Sequence, residues 1–253
     1  MSQEAVFLGC PTHNGLIDHR MARSFYITGS QERPIQFMTH QTSLLAGGCN
    51  DLWCKALNSR ESHNLKWFAM LHADIVPESW WIDKLIAIAD KHEADLLSVV
   101  VPIKDARGIT STAIGTTDNF QRYARLTQRQ VLHESFPETF DVSMACAALQ
   151  ELPAELSIWP PGPSKLLVNT GCMVCRLDQP WSGEAYFTIN DRVQRVFNQY
   201  IAQQEPEDWF FSRMVAELGG KVMATKAVKV EHLGTTAYRS DSIWGSDVDP
   251  IVL

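Results

Sequence analysis

Alternating apolar runs and amphipathic stretches predict an α/β fold, a mostly parallel sheet flanked by helices. Three observations carry this expectation. Short apolar runs at Ala5–Gly9, Lys66–Leu71 and Asp95–Ile103 stop at turn-forming or polar residues, as strands do. Between them, Ser43–Leu57 and the segment after Pro77 repeat their apolar residues at helical spacing. Asp95–Ile103 is almost continuously apolar, the pattern of a central strand covered on both faces. Strand, helix, strand, helix, strand gives βαβ units.

In chain order, Ala5–Gly9 is a buried strand that ends in the turn-rich Cys10-Pro11-Thr12-His13-Asn14-Gly15. Gln36–Thr39 is a second strand. The helix Ser43–Leu57 turns Leu45, Cys49, Leu52, Trp53 and Ala56 inward. Gly47-Gly48 weakens that helix or lets another group approach its backbone closely. Lys66–Leu71 stops at His72-Ala73-Asp74, and Pro77 suits the first turn of a helix with Trp81, Leu85 and Ile88 on its apolar face. A polar helix is expected over Asn119–Leu132, and one strand over Leu166–Arg176. Pro206 opens a helix that buries Phe211, Met214, Val215 and Leu218 and ends at Gly219-Gly220. The last strand is Ala227–His232, with Val228, Val230 and His232 on one face.

The 253 residues suffice for one large domain with a real core. Apolar residues at 45% and charged residues at 20% exclude disorder as the main state. A net charge of −7 argues against a generally basic nucleic-acid binder. No apolar run is long enough to span a membrane, and the first residues lack the pattern of a secretory signal. Six cysteines are too few for a disulfide scaffold, so reduced thiols and a cytoplasmic location are expected. Cys172 and Cys175 have metal-like spacing, but on a strand residues three apart face opposite ways and cannot chelate together.

Three short segments carry candidate chemistry. His72 and Asp74 end an apolar strand, where open α/β sheets bind ligands, and their side chains share one direction. An imidazole and a carboxylate there suit a divalent ion or a ribose; the plainer alternative is a polar strand end in water. Glu207-Asp208 opens a helix, where carboxylates stabilise the dipole without any further role. His232 ends a Val-x-Val-x-His strand, an ordinary place for a structural histidine.

Taken in order, these segments resemble nucleotide-sugar-dependent glycosyltransferases of the GT-A fold, a Rossmann-like architecture, over most of residues 5–105 and 166–234. Pro11-Thr12-His13-Asn14 matches the loop under the nucleotide, and Gly48-Cys49-Asn50 a segment of the following helix. Leu71-His72-Ala73-Asp74-Ile75-Val76-Pro77 stands where that family has Asp-x-Asp, with His72 in place of the first Asp. Asn169-Thr170-Gly171 matches a Gly-rich turn. Glu207-Asp208, Gly219-Gly220 and Glu231-His232-Leu233-Gly234 follow in family order. The second strand, Phe37-Met38-Thr39-His40, lacks the acidic pair that often reads the base.

The resemblance implies a single domain over 1–253. Residues 5–105 form the nucleotide-sugar half, 106–165 a variable acceptor-side insertion, 166–240 the acceptor and catalytic half, and 241–253 a tail. It implies a metal-dependent transfer of a sugar from a nucleotide-diphosphate donor to a hydroxyl acceptor. Pro11, Thr12, His13, Asn14, Asn50, His72, Asp74 and Gly171 would contact the donor. Asp74, His232 and His72 would hold Mn²⁺ or Mg²⁺, which stabilises the departing diphosphate. By resemblance to inverting members Asp208 would be the base that takes the acceptor proton, with Glu207 orienting the acceptor; in a retaining enzyme Asp208 would instead contact substrate.

The resemblance implies a hydroxyl acceptor, a glycan or a hydroxylated base in DNA. If the expected helix over 119–132 forms, Arg122, Arg125 and Arg129 make one basic stripe, which is either a solvated face or a phosphate site. Trp80, Trp159 and Trp181 are candidates for stacking, although core packing is the commoner role. A nucleotidyltransferase or phosphohydrolase of similar fold is the first alternative, but Pro11–His19 has neither Lys nor Arg to meet a triphosphate. A non-catalytic sugar-nucleotide-binding protein is the second. Oligomeric state is not legible.

Overall fold

The computed structural model describes residues 4–116, 123–158, 164–234 and 236–248. Strand β1 (Ala5–Thr12) is buried along nearly its whole length. It is followed by α1 (His19–Tyr26), whose N-cap Asp18 accepts from the Arg20 amide at 2.9 Å. Next come β2 (Ile35–Gln41) and α2 (Leu45–Ser59). A Cβ on Gly48 would lie 2.5 Å from Thr42 Cγ2, so the glycine is what lets α2 start tight against the end of β2. Then follow β3 (Leu65–Leu71), β4 (Ile75–Pro77), α3 (Trp81–His92) and β5 (Leu96–Val99).

The middle of the chain holds β6 (Ile109–Thr116), β7 (Tyr123–Thr127), the short α4 (Gln128–Val131), β8 (Thr139–Phe140) and α5 (Val142–Glu151). After it come β9 (Ser164–Leu167), β10 (Cys172–Arg176), a hairpin of β11 (Asn190–Val196) and β12 (Gln199–Glu205), and α6 (Glu207–Glu217). Strands β13 (Val222–Thr225), β14 (Val230–Leu233) and β15 (Ala237–Arg239) complete the described chain.

The main sheet has seven strands in the order β2-β1-β3-β10-β5-β13-β8. Strands β2, β1, β3, β5 and β13 run one way; β10 and β8 oppose them. The fold is therefore mixed α/β with a mostly parallel central sheet flanked by helices. Alternation along the strands feeds two cores. Phe7, Phe68, Met70 and Cys175 face α2 and α6, meeting Trp53, Phe211 and Val215. Val6, Leu8, Trp67, Leu71 and Cys172 face α1 and α3, meeting Phe25, Trp81 and Leu85. Cys172 and Cys175 thus lie on opposite faces of the sheet, as their spacing on a strand requires. Leu126, Phe136, Phe140 and Leu149 of the 106–165 segment join the same cluster as Trp53.

Several local expectations are corrected. No helix runs from Asn119 to Leu132. Residues 117–122, Arg122 among them, lie outside the described residues; Tyr123–Thr127 is a strand, and only Gln128–Val131 is helical. Ala124 and Leu126 are buried while Tyr123 and Arg125 are half-buried, a two-residue period set by antiparallel pairing with β6. Arg125 and Arg129 therefore belong to different elements and form no helical stripe.

Leu166–Arg176 is two strands, because the Asn169 side chain accepts from the Gly171 amide at 2.8 Å and bends the chain between them. Pro77 is not in a helix: it pairs with Val230 in a small sheet, and α3 starts only after Trp80, at φ +65°. Ala227–His232 is likewise shorter than expected, beginning as strand at Val230. Of the three tryptophans named as stacking candidates, Trp181 is buried against Trp53 with ring centroids 6.5 Å apart, and Trp159 lies outside the described residues.

Candidate functional site

The parallel strands put the ends of β1, β3 and β5 along one edge of the sheet. That carboxyl edge is where open α/β sheets place their ligands. Strand β3 stops at Leu71. The His72 amide then donates to the Gly171 carbonyl at 2.8 Å, which ties the His72–Asp74 turn to the bend between β9 and β10. Gly171 has to be small: a Cβ there would lie 2.5 Å from Ile75 Cδ1 and 3.4 Å from His72 Nδ1.

Pairing of β4 with β14 sets His232 opposite Ile75, and the Leu233 amide donates to the Asp74 carbonyl at 2.7 Å. The result is an Asp74–His232 pair with Nε2 3.4 Å from Oδ2. The other ring nitrogen, Nδ1, lies 2.7 Å from the Pro102 carbonyl. That carbonyl only accepts, so Nδ1–H donates to it, and Nε2 is the ring atom that faces Asp74. The Lys104 ammonium contacts the same Asp74 oxygen. Burial acts to raise the Asp74 pKa, but the hydrogen bonds from His232 and Lys104 outweigh it and hold the carboxyl well below the usual range. His72 is different. Burial pulls its pKa down to about 4, so the ring is neutral near pH 7.

The loop after β1 adjoins this pair. Burial, with a smaller contribution from the charge of Asp74, raises the Cys10 thiol to about 12. Pro11 is buried, and His13 and Asn14 are exposed, with Asn14 Oδ1 accepting from the Leu16 amide at 3.0 Å. Thr12 Oγ1, His72 Nε2 and Thr170 Oγ1 are all buried without a hydrogen-bond partner among the described residues. Three such atoms around one strand edge depart from the rule that buried polar groups are satisfied, and a polar site is where such departures gather.

Asn50 is differently placed. Its Nδ2 donates to the Phe187 carbonyl at 2.7 Å, and its Oδ1 accepts from the Phe187 amide at 2.8 Å. The carboxamide is thus spent on bracing the loop around Phe187 against α2.

Glu207 and Asp208 open α6. The short turn at Leu218–Lys221 leads straight into β13, so the helix runs antiparallel to that strand and its first turn lies at the carboxyl edge. Desolvation, then the neighbouring Glu207 charge, push Asp208 up to about 7. Burial likewise raises Glu207. Asp208 accepts from the Trp209 amide at 2.7 Å. Beside the acids is a cavity of about 360 Å³ lined by Tyr123, Arg125, Asp191, Gln204, Glu207 and Trp209. The Arg125 guanidinium lies 4.3 Å from the Trp209 ring centroid. Among the described residues, no hydrogen bond or ion pair joins the acid pair to Asp74 or His232.

Lys104, Tyr123 and Trp209 do not stand out in the sequence as site residues, and Arg125 does so only as part of a helical stripe that does not form. For Lys104 a signal exists: it is the first charged side chain after the apolar run of the central strand β5.

A resident Mn²⁺ or Mg²⁺ would need several oxygen or nitrogen lone pairs converging on one point. Among the described residues no group of three or more His, Cys, Asp or Glu side chains is arranged to hold a metal ion. His72 Nε2 is buried, and Asp74 Oδ2 already meets both an ammonium and an imidazole. The donor set does not fit a resident divalent ion. No helix among the described residues is long and apolar enough to cross a membrane.

No protein-family model matches the sequence, and no curated protein matches it. Solved structures do. S. aureus TarS, residues 1–349, is 12% identical with a TM-score of 0.43, over 88% of this chain and 58% of that one. The same TarS fragment in complex with UDP-GlcNAc gives 12% and 0.42, over 88% and 56%. The crystal structure of A197 from STIV is 12% identical with a TM-score of 0.52, and the match covers 98% of this chain and 97% of that one. The likeness to A197 shows a shared fold along nearly the full length of both chains.

Proposed function

We propose that this protein is a glycosyltransferase that binds a nucleotide-diphosphate sugar at the carboxyl edge of the sheet and moves the sugar to a hydroxyl acceptor. The observation that carries the reading is the pairing of β4 with β14, which sets His232 against Asp74 beside the loop that ends β1. The order of motifs along the chain supports it. So do the unpaired Thr12, His72 and Thr170 atoms around the same edge.

The reaction forms a bond between the acceptor oxygen and the anomeric carbon and breaks the bond from that carbon to the diphosphate. The acceptor hydroxyl loses its proton as it attacks. A carboxylate with a pKa of about 7, as Asp208 has, matches a base working near neutral pH. Glu207, next in line and also desolvated, raises the basicity of its neighbour by repulsion. The cavity at Trp209 and Tyr123 offers an aromatic wall to an acceptor, the kind of surface on which a sugar ring packs. Because Arg125 and Arg129 do not form a stripe, a phosphate-bearing acceptor such as DNA loses the feature that favoured it.

Calorimetric titration with a panel of nucleotide sugars, followed by product detection on glycan, protein and DNA acceptors, tests this reading. A donor that binds and yields a glycosylated product supports it. Binding without turnover would leave a sugar-nucleotide-binding protein, and absence of binding across the panel would end the proposal.

A further inference from the structure

We infer that Lys104 supplies the positive charge that meets the donor diphosphate, in the place where a divalent ion would be expected. The inference rests on the reading above, that a nucleotide-diphosphate sugar binds at this edge. Three features of the chain point to it.

The first is charge balance. Two carboxylates at the end of β3 would leave a site with two negative charges that repels a diphosphate until a divalent ion enters. Here His72 stands in place of one of them, and an imidazole carries no negative charge whether or not it is protonated, so Asp74 is the one carboxylate of this turn, and the Lys104 ammonium meets it. The His232 ring, on the same oxygen, adds no negative charge.

The second is placement. Lys104 follows β5 and reaches back to Asp74 across the carboxyl edge. Its aliphatic stem lies over Gly234: a Cβ on that glycine would come 3.2 Å from Lys104 Cδ and 3.5 Å from Lys104 Cβ. Gly234 directly follows the strand that brings His232 in, so one short segment positions both partners of Asp74.

The third is access. The Lys104 and Asp74 side chains are 35% and 39% exposed, so the ion pair opens to solvent. An ammonium has three donors. One meets Asp74, and among the described residues no hydrogen bond engages the others, which can meet phosphate oxygens. Asp74 then acts on the lysine, aiming its ammonium, and the lysine touches the diphosphate.

The test is calorimetric binding of UDP, GDP, CDP, ADP and dTDP to the whole protein, in EDTA and in millimolar Mn²⁺. The inference expects the tightest of these to bind in EDTA within about threefold of its affinity in Mn²⁺. It expects Lys104→Ala to weaken that binding about tenfold or more in EDTA, a change equivalent to about 1.4 kcal/mol. Lys104→Arg should restore most of it, since a guanidinium also meets phosphate. Affinity for the matching nucleoside, which has no phosphate, should not change in Lys104→Ala. Binding that appears only with Mn²⁺, or a Lys104→Ala protein as tight as the parent, overturns the inference and leaves the donor-binding reading standing. No binding of any nucleoside diphosphate in either condition overturns both.

Discussion

His232 Nε2 lies 3.4 Å from Asp74 Oδ2, while the same ring holds the Pro102 carbonyl at 2.7 Å through Nδ1. One imidazole therefore links the turn after β3, the segment after β5 and strand β14. Removing Asp74 releases both His232 and Lys104 from a common partner. Asp74→Ala is expected to abolish turnover, measured as sugar transfer from the donor found in the titration panel, with the melting temperature close to that of the parent.

Asp208→Asn keeps the shape of the side chain and removes its basicity. Turnover should fall by about 100-fold or more, the usual contribution of a positioned base, while donor affinity stays within about threefold. In the parent protein the rate should rise with pH through about 7 as Asp208 ionises. Full activity in Asp208→Asn would mean that the carboxylate only stabilises the start of α6.

The same group makes stability depend on pH. Its pKa is raised on folding from the ordinary 3.8 to about 7, so the folded state holds a proton that the unfolded chain releases first. The favourable contribution of that bound proton is complete below about pH 4 and is lost as pH rises toward 7. Asp208→Asn has no such group to ionise. Its stability in urea relative to the parent should therefore increase between pH 4 and pH 7 and level off above that range.

Asn50 clasps the Phe187 backbone through both atoms of its carboxamide. Asn50→Ala leaves the Phe187 amide and carbonyl unpaired, a cost of about 1–3 kcal/mol in chemical denaturation. Hydrogen exchange should quicken at the Phe187 amide and remain slow in the core strands β1 and β3. Unchanged protection at Phe187 would show that the loop is held by packing of the Phe187 ring, which stacks on Phe211 at 4.0 Å.

The thiols offer a check on the packing itself. Cys54 is exposed and Cys146 half-buried, whereas Cys10, Cys49, Cys172 and Cys175 are buried. Burial raises the pKa of each of these four thiols, which keeps them protonated and unreactive. A thiol reagent at neutral pH should label Cys54 first, Cys146 more slowly, and the other four only after denaturation.

Much of the architecture can be read from the residues alone, because burial imposes a period. The apolar runs of β1, β3 and β5 and the helical spacing of α2, α3 and α6 are local patterns with one stable solution each, a sheet covered by helices. The turn after β3 and the acids opening α6 are legible for the same reason: polar residues that interrupt an apolar run mark the ends of elements.

Long-range pairing decided the rest. Tyr123–Thr127 is a strand only because β6 pairs with it, and Pro77 is strand only because Val230 pairs with it. Val230 lies far outside any window of sequence around Pro77, and the antiparallel register of β7 on β6 is not written in the polar spacing of residues 123–127. The site follows the same division. Asp74 and His232 can be named from their positions at strand ends, but the contact between them is made by β4 and β14. The ammonium of Lys104 on Asp74 exists only once the segment after β5 folds back across the sheet edge. Electrostatics acts through distance in space, so the charge at this edge, and with it the choice between a metal ion and a lysine, belongs to the folded chain.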